Sequence, residues 1–399
     1  MNGGTPVRTK PFPSWPVFGK EEEENLLKVF RSGKWWYGEK VREFEAKFAE
    51  FQNAKHGVTC CNGTVALELA LRTLGIQAGD EVLVPAYTFI ATATAVLAMN
   101  AVPVFVDVDE STINMDLDKV EESITDKTRA IIVVHFAGLP VDMDRISELA
   151  RKFNLVVLED AAHSWGSQWK GKGTGAIGRM GTFSFQMSKN ITAGEGGIIL
   201  TNDKDLADLA RSYANCGRVE GEQWYQSANM GGNYRLTELQ AAILLAQLDR
   251  LEEQTLLREE NAKYLNEQLS MIPGIKVPVR DERVTRRSYH LYMFRYLSSE
   301  FGGVPRDKFI QTLEAEGIPS SFGYLTPVYG NQCFQELKCI PGQKSLPVSY
   351  NSVCCPVAER LCKEEMVWLT HNMLLGNRDD MQTIVNAIQK IYENQKDIL

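Results

Sequence analysis

The 399-residue sequence lacks the features that mark several large classes of protein. It contains no apolar run of the length that a membrane-spanning helix needs, and its first residues, Met-Asn-Gly-Gly-Thr-Pro, lack a signal-peptide core. The formal net charge of −8 argues against nucleic-acid binding as the main role. These absences predict a cytoplasmic protein that has neither a nucleic acid nor a membrane as its partner.

Cysteine and histidine are present, but not at the spacings that metal sites or disulfide frameworks use. The eight cysteines lie mostly in apolar or vicinal settings, as in Cys60-Cys61 and Cys354-Cys355, and none forms a Cys-x-x-Cys pair. The five histidines are scattered along the chain. We therefore expect reduced thiols, no disulfide framework and no metal site.

The pattern of apolar residues from residue 81 onward predicts an α/β fold. Buried-strand patterns alternate with helical patterns, which is typical of a mostly parallel sheet with helices on both faces. The predicted strands are Val82–Pro85, Val104–Val108, Ala130–His135 and Leu155–Glu159, and the helices between them lie near 90–99, 117–123 and 142–153. In such sheets, ligands bind at the carboxyl ends of the strands.

The length of the chain favours two domains around a cleft, because it exceeds the size of one ordinary domain. We place an N-terminal arm and a large domain in residues 1–255, and a linking helix and a small α+β domain in residues 256–399. A helical pattern runs from Thr237 to about Gln268. Beyond it, the sequence predicts strands at Ser288–Tyr296 and Ile318–Phe322, and helices at Asp307–Glu316 and about Arg378–Tyr392.

Lys189 lies in a glycine-punctuated turn between two strand-forming runs. Thr182–Gln186 precedes it, and Ile198–Thr201 follows Gly196 and Gly197, which allow a tight turn and a close approach to a ligand. A lysine at a strand end can condense with an aldehyde if its amine can lose its proton. On this stretch alone, the alternative is a surface lysine in a hairpin.

One acidic residue, one aromatic residue and one turn complete a possible ligand site. Asp160 ends a buried strand, where a carboxylate is costly unless it pairs with an arginine or with a heteroaromatic ring nitrogen. Phe89 follows the strand that ends at Pro85. The turn Asn62-Gly63-Thr64 precedes a helix, where free amides favour a phosphate, although an ordinary N-cap is the alternative. A lysine, a carboxylate, an aromatic plate and a phosphate cradle together describe a site for pyridoxal phosphate (PLP).

The motifs around these residues resemble the DegT/DnrJ/EryC1/StrS family of sugar aminotransferases, and the resemblance extends from about Trp15 to the final helix. It implies an aspartate aminotransferase-like fold of type I, with a mostly parallel sheet in the large domain and a smaller C-terminal α+β domain. The motifs are Asn62-Gly-Thr64, Pro85-Ala-Tyr-Thr-Phe89, Glu159-Asp-Ala-Ala-His163, Ser184-Phe-Gln-Met-Ser-Lys189, Thr192-Ala-Gly-Glu-Gly-Gly197 and Asn233-Tyr-Arg-Leu-Thr-Glu238.

The resemblance implies a role for each residue that faces the cofactor ring. Lys189 would bind the cofactor covalently and then shuttle a proton. Asp160 would contact the pyridine nitrogen, and Phe89 would stack on the ring. His163 would lie near the phenolic oxygen, at a position where many members of the family have glutamine.

The resemblance also implies contacts with the phosphate and with a second subunit. The phosphate would be bound by Gly63, Thr64 and Ser184. Asn233 would reach the phosphate of the neighbouring subunit, and Arg235 would help to receive the carboxylate of the amino donor across the same interface. A homodimer with shared active sites follows from this arrangement.

The implied activity is transfer of an amino group from glutamine or glutamate to a ketone on a sugar or cyclitol. Tyr324 and His371 are candidate substrate contacts, and Arg218, Arg286 and Arg287 could receive a nucleotide diphosphate. Outer segments such as 33–36 and 356–360 look most like glutamine-dependent aminotransferases of keto-inositols and like 3-amino-5-hydroxybenzoate synthase. A dehydratase or aromatase of the latter type is therefore an alternative, as is a non-catalytic PLP-binding regulator, which would be expected to lack Lys189 or Asp160.

Overall fold

The computed structural model describes residues 4–221, 223, 225–336 and 349–398. Within these ranges, each strand predicted for residues 82–159 is present within a few residues of its predicted bounds. The strands are β1 (His56–Cys60), β2 (Glu81–Pro85), β3 (Val102–Val106), β4 (Thr128–Val134), β5 (Val156–Asp160), β6 (Gln168–Trp169), β7 (Lys172–Gly173), β8 (Met180–Ser184), β9 (Gly197–Thr201), β10 (Ile275–Lys276), β11 (Val284–Arg286), β12 (Leu291–Tyr296) and β13 (Met366–Thr370).

A seven-stranded sheet with the order β1-β9-β8-β5-β4-β2-β3 forms the centre of the fold. Strands β8, β5, β4, β2 and β3 run parallel to one another, whereas β9 pairs antiparallel with both β8 and β1. Strands β4 and β5 are almost entirely buried, as strands with helices on both faces must be. The prediction of an α/β fold with a mostly parallel sheet is confirmed.

Helices cover the sheet and connect its strands. Several begin at a side chain that caps the first turn, such as Asn62, Asp142 and Asp203. The helices are α1 (Lys20–Ser32), α2 (Glu39–Phe51), α3 (Gly63–Thr73), α4 (Ala91–Ala98), α5 (Leu117–Val120), α6 (Met143–Phe153), α7 (Lys204–Ala214), α8 (Glu238–Asp249), α9 (Leu251–Leu269), α10 (Arg306–Ala315), α11 (Gln332–Glu336), α12 (Pro356–Arg360) and α13 (Arg378–Glu393). In the described ranges, every helix is too short or too polar to cross a lipid bilayer.

The C-terminal part of the chain builds a second core around a small antiparallel sheet. Strands β10, β12 and β13 form this sheet, and α9, α10 and α13 pack against it. Side chains from the N-terminal arm, Val7 and Phe12, pack on the same core. A third sheet, β11-β6-β7, joins the two halves of the chain. The domain boundary at residue 255 remains a prediction.

The predicted continuous helix from Thr237 to about Gln268 is wrong, because α8 and α9 are separate helices that meet at Arg250. The backbone of Arg250 has φ −106° and ψ 0°, well away from the mean values of an α-helix. Its guanidinium donates to Val17 O at 3.0 Å and pairs with Glu21 and Glu22 of α1. These contacts with the N-terminal region stabilise the break between α8 and α9. The helical pattern of the sequence does not show such contacts.

Two predicted strands of the small domain also differ from the structure. The strand predicted from Ser288 begins only at Leu291, since Tyr289 has a left-handed backbone with φ 49°. The strand predicted at Ile318–Phe322 is reduced to one isolated bridge, in which Ser321 exchanges backbone hydrogen bonds with Trp368. Strand β1, which closes the edge of the central sheet beside β9, was not predicted from the apolar pattern of the sequence.

Candidate active site

A cavity of about 820 Å³ opens at the carboxyl ends of the parallel strands. Residues that follow or end β2, β4, β5 and β8 line one side of it, and residues of β12, β13 and the N-terminal arm line the other. This is the place where α/β sheets of this kind bind their ligands. Of the predicted site residues, the cavity brings together Gly63, Thr64, Phe89, Asp160, His163, Ser184, Lys189, Tyr324 and His371.

Lys189 projects into this cavity from the turn between β8 and β9. The turn is closed by its own bonds: the Lys189 N–H donates to Gln186 O at 2.9 Å, and the Ser188 N–H donates to Gln186 Oε1 at 2.8 Å. Burial lowers the pKa of Lys189 from 10.5 to about 8, although the charge of Asp160 opposes this shift. Near neutral pH an appreciable fraction of the amine is therefore uncharged and nucleophilic.

Asp160 ends β5 and is 5% exposed. Its Oδ2 accepts a hydrogen bond from Thr92 Oγ1 at 2.8 Å, and its Oδ1 accepts one from the Ala162 N–H at 3.2 Å. Burial raises the pKa of Asp160, while these two hydrogen bonds and the charge of Lys189 oppose the rise. Among the described residues, no arginine pairs with Asp160. The structural alternative for this buried carboxylate, an ion pair with an arginine, is therefore not found there.

His163 lies beside Lys189 and is buried. Burial, with the Lys189 charge, lowers the pKa of His163 far below its usual value, so the ring is neutral. Its Nδ1 has no hydrogen-bond partner within the described ranges. A buried nitrogen without a partner is costly, and an oxygen of a bound ligand would satisfy it.

The first turn of α3 and the end of β8 form a cradle for an anion. Asn62 Oδ1 accepts the Val65 N–H at 2.9 Å, so the amides of Gly63 and Thr64 are the ones that a bound anion could use. Glycine is required at 63, because a Cβ there would lie 2.7 Å from Ser184 Cβ. It is required at 197 as well, where a Cβ would lie 2.4 Å from Asn62 O.

Aromatic side chains form the walls of the cavity. Phe89 is 55% exposed at the mouth, in the position of a plate that could cover a planar ring. On the opposite side, Tyr324 packs edge-on against Trp368, with ring centroids 4.9 Å apart. Trp368 Nε1 is buried and has no hydrogen-bond partner among the described residues. We call Leu291, Tyr324, Trp368 and Thr370 the acceptor wall.

Asn233 and Arg235 do not line the cavity of their own chain. Asn233 forms an isolated backbone bridge with Asn215. Arg235 Nη1 donates to Asn215 Oδ1 at 2.9 Å, and its guanidinium lies over the Trp36 ring at 5.1 Å. Their predicted roles in a neighbouring subunit therefore stay predictions.

The arginines considered for a nucleotide diphosphate also lie away from the cavity. Arg286 is held by Glu252 at 2.8 Å and by Gly166 O at 2.6 Å. Arg287 is 2% exposed and lies over the Tyr289 ring. Arg218 lines a different cavity, beside Trp36.

The sequence did not point to several residues of the site. Thr92 binds the Asp160 carboxylate from α4. Thr88, which bonds to Thr92 at 3.1 Å, lies within the motif Pro85-Ala-Tyr-Thr-Phe89, but the resemblance implies no role for it. Trp15 and His290 line the cavity from segments that are far away in sequence. The rings of His163 and His290 contact each other at a tilt, with centroids 4.4 Å apart.

The residues of the cavity fit PLP. The uncharged His163 Nδ1 lacks a partner, as expected for a nitrogen that meets a ligand oxygen. The cradle at Gly63 and Ser184 suits a phosphate, and Lys189 has the lowered pKa that covalent attachment to an aldehyde needs. In the described part of the chain, no group of three or more His, Cys, Asp or Glu side chains could hold a metal ion.

Comparison with known proteins gives consistent results over nearly the whole chain. The sequence profile of the DegT/DnrJ/EryC1/StrS aminotransferase family matches residues 16–389. A protein of Streptoalloteichus tenebrarius, provisionally named L-glutamine:3-amino-2,3-dideoxy-scyllo-inosose aminotransferase, is 38% identical over 98% of this chain and 97% of its own length. L-glutamine:2-deoxy-scyllo-inosose aminotransferase of Micromonospora echinospora is 34% identical, over 100% of this chain and 98% of its own. The crystal structure of 3-amino-5-hydroxybenzoic acid synthase superposes with a TM-score of 0.89 at 33% identity, covering 98% of this chain and 100% of that one.

Proposed function

Because the chain belongs to the DegT/DnrJ/EryC1/StrS aminotransferase family, we propose that it transfers the amino group of glutamine to the ketone of a cyclitol. Family membership makes it a PLP-dependent aminotransferase with a type I fold. The choice of glutamine and of a keto-cyclitol is supported by the names of the two relatives. The observation that carries the proposal is one cavity that joins Lys189 and Asp160 to the acceptor wall.

The residues around the cofactor site have separate tasks in this reaction. When bound, PLP supplies an aldehyde that exchanges amines and a ring that accepts electrons. Asp160, oriented by Thr92, would keep the ring nitrogen protonated through its negative charge. The Lys189 amine would take a proton from the donor Cα and return one to the acceptor carbon, and its lowered pKa in the cofactor-free protein suits that role.

The acceptor wall supports a ring-shaped substrate that carries hydroxyl groups. Tyr324 and Trp368 offer flat apolar faces to the C–H face of such a ring. The unpartnered Trp368 Nε1 and the Thr370 hydroxyl can bind its hydroxyl groups. Such contacts would turn the ketone toward Lys189 and would not require a charge on the acceptor.

We further infer a cytoplasmic homodimer in which each subunit contributes to the site of the other. Asn233 and Arg235 support this inference, because both lie outside the cavity of their own chain. In the partner's site, Asn233 would bind the phosphate and Arg235 would receive the carboxylate of the amino donor.

Incubation with glutamine and a keto-inositol is expected to yield the aminocyclitol, in which an amine replaces the ketone oxygen. Mass spectrometry of the products, with glutamate compared as donor and nucleotide-linked keto-sugars compared as acceptors, identifies both substrates. Before any acceptor is added, glutamine alone should change the absorbance of the bound cofactor. Failure of the purified protein to bind PLP would contradict the proposal.

The same measurement decides the alternative function. The similarity to 3-amino-5-hydroxybenzoic acid synthase favours a dehydratase or aromatase as the second candidate. Such an enzyme would release a product lighter than its substrate by one water. Gain of an amine without loss of water would exclude it for the substrate tested.

Replacing Trp368 with phenylalanine is expected to raise KM for the acceptor about fivefold, since one hydrogen bond to a neutral hydroxyl is lost. The phenyl ring keeps the apolar face, and the reaction with glutamine alone should keep its rate. Steady-state kinetics for the acceptor and single-turnover kinetics with glutamine measure the two effects. Trp169→Phe, in β6 and away from the cavity, is the matched control, and an equal rise of KM in both variants would refute the contact.

A further inference from the structure

Two carbonyl groups immediately before Lys189 receive hydrogen bonds from outside the large domain. Trp15 Nε1, in the N-terminal arm, donates to Met187 O at 2.9 Å. His371 Nε2, directly after β13, lies 3.0 Å from Ser188 O. The two rings contact each other edge to face, with centroids 4.4 Å apart.

The residue after Lys189 is held in a similar way. Asn190 is buried, and its Nδ2 donates to Ser288 O at 3.0 Å. His290 Nδ1 lies 3.2 Å from Asn190 Oδ1 and must be its donor, because an amide oxygen can only accept. Segments next to β12 and β13 of the small antiparallel sheet thus bind the turn on both sides of Lys189, and the N-terminal arm adds one more bond.

The hydrogen bonds fix the tautomer of His371. Ser188 O can only accept, so His371 Nε2 carries the proton. Arg258 Nη2 lies 3.3 Å from His371 Nδ1 and can only donate, so Nδ1 carries none. Burial and the Arg258 charge both lower the pKa of His371 far below its usual value, which agrees with a neutral ring.

Arg258 is an unusual residue for the centre of a helix, because it is a cation with 0% exposure. Its other polar contact is Gln254 Oε1 at 3.4 Å, and its Nε and Nη1 have no partner in the described ranges. Such a charge costs stability, and a neutral side chain of the same length would cost less. Its position behind His371 indicates that it serves the site rather than the fold.

We propose that Trp15, His371 and Arg258 form a positioning clamp for Lys189, through which the N-terminal arm and the small domain set where the reacting amine lies. His371 then acts through the peptide of Ser188, rather than as the substrate contact that the sequence suggested. Both of its ring nitrogens already have protein partners. The proposal rests on the proposed function only for the identity of Lys189 as the reacting group.

The clamp is tested first in the cofactor-free protein, by following how fast an amine reagent labels Lys189 at different pH values. Mass spectrometry of the labelled peptide gives the pKa of Lys189, expected at about 8 in the parent. In His371→Leu the turn loosens and water reaches the ammonium, so this pKa should rise by about one unit toward its usual value. The amide of His371→Gln keeps one donor for Ser188 O and one acceptor for Arg258. In this variant the pKa of Lys189 should stay near the value of the parent.

Asn261→Leu provides the matched control. Asn261 is buried on α9, one turn from Arg258, and its Nδ2 donates to Leu374 O at 3.0 Å and to Gly376 O at 2.8 Å. Its loss should lower the melting temperature about as much as His371→Leu does, because each substitution removes two buried hydrogen bonds. The pKa of Lys189 should not change in this control.

The clamp is refuted if His371→Leu and Asn261→Leu give the same Lys189 pKa. It is also refuted if the Lys189 pKa is shifted as far in His371→Gln as in His371→Leu. If His371→Leu does not fold, Trp15→Phe decides by the same criterion, since it removes only the bond to Met187 O from a partly exposed ring. In the holoenzyme, the leucine variant should lower kcat and leave KM for the acceptor almost unchanged. A protein that fails to bind PLP but shows the Lys189 shift would contradict the proposed function and not the clamp.

Discussion

Replacing Asp160 with asparagine is expected to lower kcat by about a thousandfold, because the charge that keeps the ring nitrogen protonated is removed. The amide keeps the shape of the carboxylate: its oxygen can accept from the Ala162 N–H, and its NH2 group can donate to Thr92 Oγ1, whose own proton can turn to Thr88 Oγ1. Steady-state turnover with glutamine and the keto acceptor measures the loss. A variant that turns over like the parent would show that Asp160 is not the carboxylate at the ring nitrogen.

The thermal stability of Asp160→Asn should not fall with its kcat. The two measurements together therefore separate a loss of catalysis from damage to the fold. Burial raises the pKa of Asp160 in the folded cofactor-free protein, so the ionised side chain stabilises folding less than a neutral one would. That deficit is present above the folded pKa and disappears as the pH falls below the usual pKa of an aspartate. At neutral pH, Asp160→Asn should therefore melt at or above the temperature of the parent.

Asp107→Asn is the matched control for this pair of measurements. Asp107 is also buried at a strand end, but it accepts the Val357 and Ala358 N–H groups of α12 and pairs with Lys119. Its neutralisation should lower the melting temperature and leave turnover close to that of the parent. If Asp107→Asn lost as much activity as Asp160→Asn, the loss in Asp160→Asn could not be assigned to a contact between Asp160 and the ring nitrogen.

Mixing two inactive variants, Lys189→Ala and Arg235→Ala, is expected to restore activity if subunits exchange. Arg235 is bound to Asn215 and lies over Trp36, outside the cavity that holds Lys189 of its own chain. In a mixed dimer with shared sites, one site carries both defects and the other carries neither. Half of the dimers are mixed after full exchange, so about a quarter of the parental activity should return.

A second mixture shows whether this recovery comes from shared sites. Lys189 and Asp160 line one cavity of one chain, so Lys189→Ala mixed with Asp160→Asn leaves a defect in every site. That mixture should stay inactive under the same conditions. The shared site is refuted if the first mixture also stays inactive while mass spectrometry shows that its subunits have exchanged.

The part of the fold that the sequence could predict is the part in which neighbouring residues determine the structure. The buried runs of β2, β4 and β5 and the helices between them are periodic over short windows, and the structure confirms them within a few residues. The break at Arg250 lies inside a continuous helical pattern, and its cause lies in α1, more than two hundred residues away. Local periodicity carries no information about such a contact.

The candidate site shows the same division. Lys189, Asp160 and the turn at Gly63 were predictable because each follows a strand or precedes a helix, and the chemistry of each residue type is restrictive there. The partners that tune them were not predictable. Thr92 reaches Asp160 across 68 residues and His371 reaches Ser188 across 183, and neither has a sequence pattern of its own.

The acceptor wall comes from residues 291–370, whereas the residues that would hold the cofactor lie between 62 and 189 on the same chain. Acceptor choice can therefore diverge during evolution while the cofactor machinery is inherited unchanged. A chimera that takes residues 291–370 from a relative should exchange the acceptor and keep the amino donor. Such a graft must stop before His371, so that the recipient's own contacts to the lysine turn remain intact.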